Sequence, residues 1–136
     1  MPSLEALPSH VIKPGWLVYA VLLTLAVIAG ETLNVWRGGP PDWLTYANWL
    51  LSLALLVALW GYALDRPIGT AGYWRAVFWI VLFANLVMLV PVLFEGGLIA
   101  IVTGALSLLV VPAYVAAWRY AYRSAEMWER DTATDD

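Results

Sequence analysis

Residues 16–36 read WLVYAVLLTLAVIAGETLNVW. The run carries no charge until Glu31, late in its length. At about 1.5 Å per residue, a helix of this length crosses a hydrocarbon core of about 30 Å. Barrel strands alternate over about ten residues, whereas this run is apolar almost throughout. In lipid, backbone groups find no partner outside the chain, so such a run is expected to be a helix.

Three more runs of the same kind follow, at about residues 43–64, 73–94 and 98–118. The breaks between them are built from helix-stopping residues. Gly38 and Gly39 release the first helix, and Pro40 and Pro41 prevent its continuation. Asp42 then stands where a helix N-cap belongs. Asp65, Arg66 and Pro67 open the second break. Glu95-Gly96-Gly97 is so short that the third and fourth spans must form an antiparallel hairpin. The expected fold is all-α: an integral membrane bundle of four transmembrane helices in up-down order. It occupies residues 16–122, with a leader at 1–15 and a polar tail at 123–136. The fourth helix is expected to run on through Arg119, Arg123, Glu126 and Arg130, with Glu126 and Arg130 paired one turn apart. Residues 131–136 form an acidic tail expected to be disordered.

Composition agrees with the bilayer as solvent. The 136 residues are 62% hydrophobic and 12% charged, about half the charge of an average soluble domain. The net charge of −3 includes no basic field that would hold nucleic acid. There is no cysteine, which removes disulfides, thiol nucleophiles and thiolate metal sites. The single histidine, His10, lies in the leader, so histidine-based catalysis or metal binding within the spans is ruled out. No cofactor motif is present: neither GxGxxG nor a P-loop occurs.

Lys13, Arg66, Arg75, Arg119, Arg123 and Arg130 fall on one side of this layout, and Arg37 alone on the other. That asymmetry predicts both termini in the cytoplasm; the compact chain, with no organelle address, is expected in the inner, cytoplasmic membrane. Aromatic residues cluster near both boundaries. Trp16, Tyr19, Trp60, Tyr62, Tyr73, Trp74, Trp118 and Tyr120 lie near the inner one; Trp36, Trp43 and Tyr46 lie near the outer one. Interfacial anchoring is the expected role of both sets. Arg119 and Arg123 are expected to reach anionic headgroups.

Polar residues within the spans recur about one turn apart, as Glu31/Asn34, Asn48/Ser52 and Thr103/Ser107, with Asn85 on the third span. Lipid exposure of such stripes is costly, so they are expected to face inward as one cluster in the outer half. Two readings of that cluster differ in kind. In the first, the amides and hydroxyls join helices, and Glu31 is protonated or held by an amide. In the second, Glu31 is a proton- or cation-binding group or a contact for a partner helix; the remaining reading is that it reaches the headgroups. Pro91 and Pro112 are expected to kink the third and fourth helices. The pairs Ala54/Ala58, Ala100/Gly104 and Ala113/Ala117 permit close helix approach, within the chain or to a partner.

The expected function is non-catalytic: helix contacts with a membrane partner or a second copy, as an accessory subunit or an immunity-type protein. The alternative is a small proton- or cation-coupled transporter or channel using Glu31. An enzyme acting on lipid is the weakest reading, because paired carboxylates or histidines are lacking.

Overall fold

The computed structural model describes residues 12–38 and 40–132. The leader through residue 11, including His10, and the last four residues of the acidic tail lie outside this range, as does Gly39. Four long helices follow one another: α1 (Pro14–Gly38), α2 (Trp43–Ala63), α3 (Ala71–Glu95) and α4 (Gly97–Tyr122). Each is long and apolar enough to cross a membrane, which makes this a multi-pass membrane protein. A short fifth helix, α5 (Ala125–Thr132), completes the chain as described.

The breaks work by local chemistry. Asp42 caps α2, its carboxylate accepting from the Thr45 amide at 2.8 Å and the Thr45 hydroxyl at 2.7 Å. Thr70 caps α3 by accepting from the Tyr73 amide at 3.3 Å. The α3–α4 turn requires positive φ at two successive residues, 72° at Gly96 and 75° at Gly97. Glycine enters that region without steric cost. The end of α2 is closed by Asp65 at φ 52°, with the Arg66 amide reaching back to the Gly61 carbonyl at 2.9 Å. This is a Schellman closure with aspartate in the place where glycine is usual. Helical geometry continues through Pro91 and Pro112 in α3 and α4.

α2 packs against α1, α3 and α4, and α3 lies along α4. α1 is outermost, with Ala20 as its buried residue. Burial is confined to one end of the bundle, here termed the basic end: the start of α1, the end of α2, the start of α3 and the end of α4. No described residue in 21–57 or 82–112 is buried. At the basic end, Ala58, Ala113, Ala116, Ala117 and Ala121 bring the helices close enough to grip aromatic rings. Ala58, Ala113 and Ala117 are therefore spent on contacts within the chain.

The aromatic expectation needs correction at this end. Tyr62 (8% exposed), Trp74 (5%) and Tyr120 (0%) form the core rather than a belt. They stack edge-on with their neighbours: Trp74 on Tyr120 at 5.5 Å and Tyr62 on Trp16 at 5.3 Å. The Tyr120 hydroxyl donates to the Arg66 carbonyl at 3.0 Å and accepts from the Ile68 amide at 2.9 Å, pinning the α2–α3 connection. The Trp74 indole donates to the Ile68 carbonyl in the same connection. At the far end, Trp36 and Trp43 are open to the surroundings (83% and 72% exposed), as a boundary belt requires.

The C-terminal segment is also corrected. α4 does not run on to Arg130; it ends at Tyr122, turns at Arg123-Ser124, and α5 folds back. Met127 is buried, and the Trp128 indole donates to the Tyr120 carbonyl at 3.0 Å. Arg130 pairs with the Asp65 carboxylate at 2.9 Å, and contacts the Glu126 carbonyl instead of its carboxylate. The turn is favoured because it buries Met127 and the face of Trp128, which a straight extension would leave in water.

Two substitutions test this packing. A Cβ on Gly61 would lie 2.7 Å from the Tyr120 ring, which has nowhere to move. Gly61→Ala is expected to destabilise the protein by ~1–3 kcal/mol through overpacking, which outweighs a helix-propensity gain of ~1 kcal/mol. Gly30→Ala meets nothing within 4 Å and should leave thermal unfolding in detergent unchanged or slightly raised. Separately, the Thr45 hydroxyl and amide hold the Asp42 carboxyl below its usual 3.8. A lowered folded-state pKa stabilises fully above the unfolded value, and that stabilisation is lost as pH falls through the folded one. Melting temperature should therefore decline as pH drops below about 4, and Asp42→Asn should flatten that part of the profile.

Candidate functional site

The far half of the bundle is looser, and the polar residues of the spans lie there. Glu31 sits on the face of α1 toward α2. The Asn48 amide donates to its Oε1 at 3.2 Å, and the Trp49 indole donates to its Oε2 at 2.7 Å. Both carboxylate oxygens therefore have donors, supplied by adjacent residues of α2. Two strong donors on one acidic group compensate much of the cost of placing it among apolar side chains. Trp49 carries no polarity signal in a hydropathy reading, because indole counts as apolar. Its N–H makes it a ligand of Glu31 all the same.

Beyond Asn48 the helices part. α3 and α4 line an open cleft of about 450 Å³, to which α2 adds Asn48. Its walls are mostly Leu, Val and Met, with Asn48, Asn85, Thr103, Ser107 and Tyr114 as the polar members. Asn85 donates to the Val81 carbonyl at 2.8 Å, and Ser107 to the Thr103 carbonyl at 2.8 Å, each one turn back on its own helix. Such back-bonding meets the donor demand of these groups without joining one helix to another. A cleft of this size, mainly apolar with a few convergent polar groups, has the form of a binding site rather than of a packed core.

The expected cluster is thus divided in the structure. Glu31 and Asn48 meet directly. Asn48 also lines the cleft with Asn85, Thr103 and Ser107. Glu31 itself lines a shallower depression on the other side, with Ile28, Thr32, Val35, Trp36 and Trp49. Ser52 is half-buried and is not part of the cleft wall. Asn34 is exposed and joins neither group, which departs from the expected inward stripe. α1 touches the bundle along a narrow line, and residue 34 lies off that line near the end of the helix. Among the described residues, no group of three His, Cys, Asp or Glu side chains is arranged to hold a metal.

The Glu31 contacts give a direct test. Trp49→Phe removes the 2.7 Å donor and should lower stability by ~1 kcal/mol, the cost of a lost hydrogen bond to a part-buried carboxylate. In a Glu31→Gln background the same change should cost less, and a double-mutant cycle read by thermal unfolding in detergent measures the coupling. Comparison with known proteins adds no analogy: no family model matches the chain, and neither a curated protein nor a solved structure was found to be similar.

Proposed function

We propose that this chain is a non-catalytic protein of the inner, cytoplasmic membrane that works by receiving a transmembrane helix of a partner in its far-half cleft. An accessory-subunit or immunity-type role is of this kind. The observation that carries the reading is the cleft itself, about 450 Å³, open and lined by α3 and α4 with Asn48 of α2. Lipid tails fill apolar space but offer no donor to the side-chain oxygens of Asn48, Asn85, Thr103 and Ser107; within the chain, Asn48, Asn85 and Ser107 bond through their donor side. A helix carrying small and polar residues would meet both demands, since Asn, Ser and Thr bond across helices where small residues allow close approach. The cytoplasmic assignment rests on the six cationic residues that group toward one end of the bundle against Arg37 at the other.

A second reading has one observation in its favour. Asn48 donates to Glu31 and also lines the cleft, so it connects the carboxylate to the space in which a cation or substrate would move. On this reading Glu31 couples proton or cation binding to transport.

Photo-crosslinking in native membranes separates the two. A crosslinker at Leu89 in the cleft wall is expected to give a discrete protein adduct, while one at Leu108, which is exposed and not part of the cleft wall, is expected to label lipid. Equal lipid labelling at both positions would sink the partner reading. Proteoliposomes of the protein alone are expected to show no flux; a pH-dependent flux abolished by Glu31→Gln would establish transport instead.

A further inference from the structure

The basic end carries a second feature, independent of the cleft. Where α1 begins and α4 meets α5, a polar pocket of about 350 Å³ is lined by four cationic side chains: Lys13, Arg119, Arg123 and Arg130. Two carboxylates, Asp65 and Glu126, share the lining, so cations outnumber acids two to one. Arg130 engages Asp65 at 2.9 Å, which leaves Lys13, Arg119 and Arg123 facing Glu126.

Two of these cations, Lys13 and Arg123, are held in place by neighbouring groups. The Lys13 ammonium donates to the Tyr62 carbonyl at 3.1 Å and lies 3.7 Å over the Tyr62 ring. The Arg123 guanidinium lies 4.9 Å from the centre of the Trp118 ring. Arg119 and Arg123 are one turn apart on α4, and both are exposed. Ser124, at the start of α5, also lines the pocket, and its hydroxyl donates to the Arg119 carbonyl at 3.1 Å. That bond occupies one of the carbonyls at the negative end of α4, which would otherwise oppose an anion.

We infer that this pocket binds a phosphate-bearing anion, held by Arg119, Arg123 and Lys13. Two guanidinium forks and an ammonium suit the oxygens of a phosphate, and Arg presents its donors in pairs. The pocket lies at the membrane-boundary end of α1 and α4, the level at which phospholipid headgroups lie. An anionic lipid is therefore the favoured source, and a soluble phosphate is the other.

The test uses the full chain in phosphatidylcholine nanodiscs. One arm adds phosphatidylglycerol and measures retained lipid by native mass spectrometry; the other adds inorganic phosphate and follows thermal unfolding. Phosphatidylglycerol should be retained in preference to phosphatidylcholine. Arg119→Gln and Arg123→Gln should each weaken retention about fivefold, and together about 25-fold, given the contribution of one surface cation near anionic lipid. Glu126→Gln removes the competing carboxylate and should strengthen retention, a gain that a folding defect cannot imitate. Stabilisation by inorganic phosphate with the same pattern across variants, and no lipid preference, would keep the site and assign it a soluble ligand. Absence of both effects, equal effects in the double variant, or no gain in Glu126→Gln would overturn the proposal.

Discussion

Tyr120 is buried completely, and its hydroxyl is shared between a carbonyl and an amide of the α2–α3 connection. Without it, the Ile68 amide and the Arg66 carbonyl would be left short of a partner. The ring fills the space that Gly61 leaves on α2, and it meets Trp74 from α3 and Trp128 from α5. One side chain on α4 therefore ties together α2, α3, their connection and the terminal helix. Lipid offers no hydrophobic drive between helices, so close packing and satisfied polar groups must supply the association. Both are concentrated around this residue.

The same logic accounts for the contrast between the two ends. At the basic end, alanines allow close approach, and aromatic N–H and O–H groups bond across helices. Tyr19 donates to the Leu109 carbonyl on α4 at 2.7 Å, and Trp60 donates to Thr24 on α1 at 3.0 Å. At the far end no residue among those described is buried. Polar groups there bond to their own helix, as Asn85 and Ser107 do, or to one neighbour, as Glu31 does. The bundle is thus clamped at one end and open at the other. A rigid base that holds a looser mouth suits a protein that must accept something laterally from the membrane.

Charge is arranged with the same economy. The Asp65–Arg130 pair joins the end of α2 to α5, and it lies beside buried Met127, where an exposed pair of the same kind would contribute little. Lys13, Arg75 and Arg123 are oriented by rings and carbonyls rather than by carboxylates, which leaves them positive toward the boundary. The basic pocket follows from that choice of partners.

The sequence alone was sufficient for the four spans, their order and their breaks, because span length, continuous apolarity and Gly/Pro punctuation are local properties. The observed helices depart from the expected span limits by four residues at most, and Asp42 caps α2 as its position implies. Which face each residue presents was legible only in part. Asn48, Asn85, Thr103 and Ser107 converge on the cleft, whereas Asn34 points away, since the contact line of α1 depends on α2 and not on its own pattern. Tyr62, Trp74 and Tyr120 read as boundary aromatics because an amphipathic ring serves a belt and a core equally well; burial was decided by the small residues on the facing helices. Trp49 as a ligand of Glu31, and α5 folding back onto Asp65 and Tyr120, were equally out of reach. Each is a pairing between distant segments, and a pairing has no local signature.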